Sequence, residues 1–478
     1  MKTKKSLLVV PAIALVFTLV FTSCSNGGGG GGGRQDNSSG SVRFNLTGAK
    51  AIAAAQGRSG SGRAVNGSGN GLFKLLENDS FESIVSGNHE IPEIQFLARS
   101  PVEGKKDIYI SFENEWRTDN GTVGSFIHVK EDGSVVNILE GWDSIDTSLL
   151  WAKDQFTSPL AFDQYGNMYF KVHVSDYTNS IYKYNPVTGK KEQLVPTDSN
   201  IRYGKIVVSS DGSYLIVDGS RQRSNNDVDA LFARIIPTAN PQNMVEHIVI
   251  QYDGEYEYRE EARLVYAFRR NELYMSGTKI FGDENKNGFY KVTFEGLAQN
   301  EWQWEKLFDA TESNYNFAEI YILFVAPDNS VWGNDRHLAR IINSNGQSDL
   351  YKLTDLIVSP NDSFKSSASH LYFKANEADP YSTGYFLYEI YRASYSNPTS
   401  AQNVFSGITT RNTKNMMVMV FDIGGDYLYF NAVEKPYPEF NNGSEGLGGD
   451  YFNGKINLTT LEYTELEFSW NITALVAY

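Results

Sequence analysis

An all-β domain of repeated antiparallel units is the fold this sequence predicts, on three grounds. Composition is the first: 29 Tyr, 28 Phe and 7 Trp among 478 residues suit pleated surfaces, and helical-period apolar runs are few. Punctuation is the second, because Gly and Asp/Asn turns recur at short, regular spacing. Repetition is the third. The stretch "SPLAFDQYGNMYFKV", followed by "SIYKYNPVTGKKEQLV", reads as apolar strand, Asp/Gly turn, aromatic strand, third strand ending in Tyr-x-Tyr, turn and fourth strand. Six other segments repeat that layout, among them "KIVVSSDGSYLIVDG", "ARLVYAFRRNELYMSG" and "VMVFDIGGDYLYFNA".

The second-strand aromatics or their equivalents fall at Tyr109, Tyr169, Leu215, Tyr274, Trp332, Tyr372 and Tyr429. Their spacing exceeds the about 40 to 50 residues of the tightest propeller blades, so several units must carry long loops. No unit can bury both faces alone, and ring closure protects edges that an open array would expose. The expectation is therefore a seven-bladed β-propeller of four-stranded antiparallel blades over residues 71–478. Residues 72 to 95 precede the first clear unit and "SWNITALVAY" follows the last, so the two are expected to meet at the closure. "VVSSDGSYLIVDG" resembles the repeat of TolB-type propellers, and "LAFDQYGNMYF" with "IYKYNPVTGK" resembles NHL, YncE-like and gluconolactonase-type repeats. Such a resemblance implies a fold and leaves function open.

Ahead of this domain the chain reads as an address. Lys2, Lys4 and Lys5 precede an apolar run from Leu7 to Phe21, then small polar Thr22 and Ser23, which is the layout of a secretion signal over residues 1–23. The run contains Pro11 and is too short for the about 20 apolar residues of a spanning helix. Phe21-Thr22-Ser23-Cys24 resembles the lipobox of bacterial lipoproteins, with Phe21 in place of the usual aliphatic residue. The resemblance implies cleavage before Cys24 and acylation of that residue, the only cysteine in the chain. Several acyl chains at about 0.8 kcal/mol per buried methylene would make such an anchor permanent. Ser25 resembles the sorting signal for the outer membrane of bacteria with two membranes, and the polyglycine resembles tethers of surface lipoproteins.

From Cys24 to residue 70 the chain is mostly Gly, Ser, Asn and Ala, so residues 24–70 are expected to form an acylated, flexible tether. Its root-mean-square reach would be roughly 35 to 40 Å. The patch "TGAKAIAAAQ" within it reads as a short helix at most.

Chemistry is sparser. In "GDENKNGFYKVTFE", Asp283, Asn285, Asn287 and Gly288 match the first half of a calcium loop, in which alternate oxygen ligands wrap a hard cation. Phe294 stands where the bidentate Glu belongs, and "GFYKVTF" alternates as a strand, so an ordinary polar turn competes with the calcium reading. His89, His128, His173, His247, His337 and His370 are far apart, with no pair at metal-ligand spacing. No nucleophile elbow, phosphate loop or dinucleotide fingerprint is present. Carboxylates cluster around Asp253 to Glu261 and near Asp379, without the separation across a sugar that a glycosidase needs being readable. Trp302 and Trp304 alternate as strand residues that could stack a sugar or pack between blades.

With 42 basic and 57 acidic residues the chain carries a net charge of −15, and loss of Lys2, Lys4 and Lys5 would bring it to about −18. No basic cluster is left to track phosphates, which disfavours nucleic acid as a partner. The reading is a lipid-anchored envelope or surface propeller that binds a protein, peptide or glycan through loops around 113 to 124, 219 to 230, 251 to 262, 281 to 288 and 434 to 450. No cofactor other than a calcium ion is expected. The competing classes are a propeller enzyme, such as a glycoside hydrolase or lyase or a gluconolactonase-like metal hydrolase, and a part of an outer-membrane assembly.

Overall fold

The computed structural model describes residues 42–56, 69–85, 90–118, 121–140, 160–175, 178–198, 200–224, 227–251, 264–277, 287–294, 302–312, 314–353, 356–358, 364–376, 389–408, 416–434, 450–468 and 470–478. Within them eight antiparallel sheets, not seven, follow one another, each laid down strand by strand in chain order. Blade 1 is the closure. Its innermost strand, Asn471–Ala477, pairs with Ala51–Gln56, which pairs in turn with Asn70–Leu75 and Phe81–Ser83. Blades 2 to 8 span residues 94–137, 160–198, 201–251, 264–309, 322–352, 357–403 and 416–466. Blade 7 has a divided first strand, Ile357–Val358 and Lys365–Ser366, both paired with His370–Asn376. First strands of neighbouring sheets pack against one another, which puts them on the inside of the ring.

The missing blade explains the error in counting. The two chain ends do meet as expected, but together they build a whole extra sheet whose central strand is "AIAAAQ". Three corrections follow for the N-terminal segment. Residues 51–56 are a strand, not a helix or a tether; Phe44, Leu46 and Ala49 before them are buried; and the folded part therefore begins well before residue 71. Composition misled because alanine is a poor strand former taken alone. Here its small side chains fit a strand held between two others, with Ala53 and Ala54 fully buried.

The core is divided among the blades. Eight apolar clusters fill the eight spaces between neighbouring sheets, such as Ile52, Ile108 and Ile110 between blades 1 and 2 and Tyr169, Leu215 and Phe232 between blades 3 and 4. Tyr109, Tyr169, Tyr274, Trp332, Tyr372 and Tyr429 are all buried, and each packs toward the following blade. Burial of such a ring against its neighbour contributes on the order of 1.5 to 3 kcal/mol. Leu215 is the exception, because it packs back onto blade 3 while Ile216 faces blade 5. Ile216 is thus the true equivalent of the aromatics. A shift of one residue along a strand exchanges its two faces, so an unaligned apolar pair such as Leu215-Ile216 is easily misassigned.

Closure is held by more than backbone pairing. Asp422, buried on the innermost strand Met416–Gly424 of blade 8, accepts from Ala477 N at 2.9 Å and faces Lys365 Nζ of blade 7 at 3.2 Å. One carboxylate ties three blades. At Gly424 a Cβ would lie 2.4 Å from Tyr478 O, so the closing strand passes where no side chain fits. Lys455 Nζ of blade 8 adds an ion pair to Asp79 of blade 1 at 2.5 Å.

Candidate functional site

The two ends of the ring are built differently. Connections from first to second and from third to fourth strands share one face, and they are short. Two residues separate Gly424 from Tyr427, eight separate Arg99 from Ile108, and nine separate Thr293 from Gln303. Connections from second to third strands and between blades share the opposite face, and many are long, as between Glu434 and Asp450 or Asn137 and Leu160. All five stretches singled out from the sequence fall on that long-connection face. Two of them are corrected in kind: residues 113–118 and 121–124, and 219–224 and 227–230, are not irregular loops but the ends of long hairpins, Ile108–Thr118 with Gly121–Val129 and Tyr214–Ser224 with Asp227–Pro237. The other three lie largely outside the described residues.

A row of polar side chains runs around the ring inside this framework. Two positions after each second-strand aromatic stands a polar residue: Ser111, Lys171, Ser276, Asn334, Lys374 and Asn431, with Asp218 two after Ile216. Period-two alternation turns these groups to the same side as the aromatics. Buried polar groups need partners, and several of these find them on the next blade. Lys171 Nζ donates to Tyr203 O at 2.9 Å, Lys374 Nζ to Met419 O at 3.1 Å, and Ser276 Oγ to Phe317 O at 2.6 Å. The row therefore staples blade to blade. Its signal was present in the sequence as aromatic-x-polar, in "YIS", "YFK", "IVD", "YMS", "WGN", "YFK" and "YFN", but only the aromatics were read.

Asp218 departs from the stapling role because it borders open space. A cavity of about 260 Å³ is lined by Arg202, Tyr203, Asp218, Ser220, Phe232 and Leu264, among others. Leu264 begins blade 5, and Ser220 lies toward the far end of its strand, so the cavity sits toward the long-connection face between blades 4 and 5. Two glycines make room for it. A Cβ on Gly204 would lie 2.2 Å from Asp218 Oδ1, and one on Gly219 would lie 2.6 Å from Arg202 O.

The surroundings of Asp218 are densely polar. Lys205 N donates to Asp218 Oδ1 at 2.7 Å; Asp218 N donates to the Tyr266 hydroxyl at 3.1 Å; and that hydroxyl donates to Lys205 O at 2.6 Å. Burial disfavours the carboxylate and outweighs the backbone hydrogen bond and the charges of Lys205 and Lys171, so the Asp218 carboxyl is pushed up to about 6. Burial likewise lowers the Lys205 and Lys171 ammonium groups, against the pull of Asp218. A carboxyl that titrates near neutrality in a cavity can accept or donate a proton or a hydrogen bond.

Other candidates resolve differently. Asn287 is half-buried immediately before the strand Gly288–Thr293, while Asp283 and Asn285 lie outside the described residues, as do Cys24, Asp253 to Glu261 and Asp379. Among the described residues no group of three or more His, Cys, Asp or Glu is placed to hold a metal ion. His128 is fully buried in a structural relay: Nε2 meets Asp107 Oδ2 at 2.9 Å and Nδ1 meets the Tyr184 hydroxyl at 3.0 Å. Burial opposes ionisation of Asp107, but hydrogen bonds from His128 and Glu131 N keep its carboxyl below the usual value. Trp302 and Trp304 stack with His247 of blade 4 at 5.3 and 5.0 Å between centroids, so their rings serve packing between blades.

No family model matches the chain, and no curated protein does. Solved structures are similar at low identity. The β-propeller domain of the Trilobed protease from Pyrococcus furiosus has 10% identity and a TM-score of 0.40 over 79% of this chain and 99% of that one. An oligogalacturonate lyase from Vibrio parahaemolyticus has 10% identity and a TM-score of 0.40 over 80% of this chain and 93% of that one. A puromycin-hydrolyzing peptidase of Mycobacterium tuberculosis has 9% identity and a TM-score of 0.41 over 90% of this chain and 53% of that one. The chain spans about half the length of that peptidase and of a similar prolyl endopeptidase, of which 48% is covered. Likeness at this level carries no activity across.

Proposed function

We propose that this protein is a lipid-anchored binding module of the bacterial outer membrane, held through Cys24, that takes a protein, peptide or glycan on the long-connection face of its propeller. The observation that supports this reading is the concentration on one face of the long connections and of the cavity floored by Asp218. The short-turn face holds the scaffold, and binding residues tend to stand on longer connections that a rigid scaffold positions. A cavity of about 260 Å³ suits a single sugar ring or one side chain of a larger partner, with Arg202, Asp218 and Ser220 to fix orientation and Phe232 and Leu264 to supply apolar contact.

The test is a glycan and peptide array probed with the mature chain and with Ser220→Trp, which fills the cavity from its lining. Ligands captured by the parent and lost by the variant support the reading. Capture that Ser220→Trp leaves unchanged would overturn the cavity as the site. The anchor is checked separately: palmitate label should be lost in Cys24→Ala, and label that persists would remove the anchor from the proposal.

An enzymatic reading rests on Asp218 alone, whose carboxyl titrates near 6 beside the cavity. It requires turnover of a captured ligand with a pH dependence that disappears in Asp218→Asn. A calcium ion at Asp283, Asn285 and Asn287 belongs to the same long-connection face, and calcium at a hundred times its dissociation constant would stabilise the fold by about 2.7 kcal/mol.

A further inference from the structure

The opposite face carries a second concavity, independent of the reading above. A cavity of about 740 Å³ opens there, lined by Arg99, Lys105 and Lys106 of blade 2, Ser366 and Ser367 of blade 7, and Tyr478, with contributions from the first turns of blades 6 and 8. Residues from blades 6, 7, 8, 1 and 2 surround it, so it lies over the inner ends of adjoining blades. Glu103 is the acidic side chain of its lining, against three cations.

Those cations have no carboxylate partners among the described residues. Arg99 donates through one guanidinium nitrogen to Ala477 O, Lys106 Nζ lies 5.8 Å over the Tyr478 ring, and Lys105 is exposed. The turn that presents them is held in place, because Tyr478 OH donates to Lys106 O at 2.9 Å and Ser100 N donates to Asp107 O at 2.9 Å. In a chain of net charge −15, a concave surface with three cations and one anion is a local reversal of sign. Low-dielectric walls focus such a field into the cavity, and cations gathered without counter-charges gain most from a ligand that supplies them.

We infer that this cavity binds a small polyanion, a molecule that carries two or more carboxylate or phosphate groups. Arg99 offers its remaining guanidinium donors, Lys105 and Lys106 offer ammonium groups, and Ser366 and Ser367 stand on the facing turn.

Citrate and inorganic pyrophosphate are the probes, titrated by calorimetry into the mature chain at low ionic strength, with glucose as the neutral control. Saturable binding of either probe, weakened about tenfold or more in Lys106→Ala and falling with added salt, is the expected result. Preference for citrate would assign a carboxylate ligand and preference for pyrophosphate a phosphate one. No binding of either probe, equal binding of glucose, or equal binding by the Lys105→Glu/Lys106→Glu double variant would overturn the inference. If that double variant fails to fold by circular dichroism, Lys105→Glu alone decides, because its side chain is exposed and supports no packing. Ser220→Trp, on the other face, should leave binding of both probes unchanged, so failure of this inference and failure of the proposed function are read separately.

Discussion

The two faces of the ring divide the work of the sequence. On the short-turn face the chain reverses under local instruction: Asp163 Oδ1 accepts from Tyr165 N and Asn167 N, Asn343 Oδ1 from Asn345 N and Gln347 N, and Asp132 Oδ1 from Ser134 N. At Gly133 the backbone takes φ 79° and a Cβ would lie 1.9 Å from Phe44 O, so that turn is also pressed against the N-terminal segment. On the opposite face the same strands are joined by connections whose length changes from blade to blade. A ring of similar blades tolerates this because inter-blade packing lies within the sheets, where length does not vary freely. Changes at the closure and in the polar row should therefore cost stability, and changes in the long connections should cost binding.

The largest effect is expected from removing the closing strand, residues 471–478. Ala51–Gln56 would lose its inner partner, and the shortened chain should show no cooperative thermal transition by circular dichroism. Asp422→Ala comes next. It leaves the Lys365 ammonium and Ala477 N without their partner and should cost about 3 to 5 kcal/mol in denaturant unfolding. A loss below 1 kcal/mol would mean that backbone pairing alone closes the ring. Gly204→Ala tests the cavity floor, since its Cβ would collide with Asp218 Oδ1; displacement of that carboxylate should cost about 1 to 3 kcal/mol.

Asp218→Asn should act through pH. The free carboxyl titrates at 3.8 and the folded one at about 6, so between those values the folded chain retains a proton that the unfolded chain has released. The contribution of this group makes stability fall as pH rises from about 4 to about 6, then level off. In Asp218→Asn that fall should vanish, and parallel melting curves for both chains across the window would contradict the shift. The smallest stability effect belongs to deletion of residues 436–448 from the connection between Glu434 and Asp450. It should change stability by no more than about 0.5 kcal/mol while reducing capture of any ligand that the long-connection face holds.

Much of this architecture was legible residue by residue. The aromatics at Tyr109, Tyr169, Tyr274, Trp332, Tyr372 and Tyr429 marked second strands because a ring in a half-buried strand needs a neighbouring sheet, and each has one. The turns were legible because Asp, Asn and Gly act on backbone within a few residues. Illegible were Ala51–Gln56, whose burial comes from strands at sequence positions 70–75 and 471–477, and the face assignment of Leu215 and Ile216. The candidate site was hidden for the same reason. Nothing near Asp218 in the chain announces that Lys171, 47 residues before it, and Tyr266, 48 after it, surround its carboxylate.

By itself, then, the sequence determined the repeating unit, its turns and the side of each strand that seeks a partner, because these depend on period-two alternation and short-range hydrogen bonding. Only the tertiary structure decided that eight blades close the ring, that the chain ends share one of them, and that a carboxylate and two cavities occupy the two faces. Those outcomes depend on how many wedges complete a circle and on which distant charges meet inside it, and neither quantity is written in any local stretch.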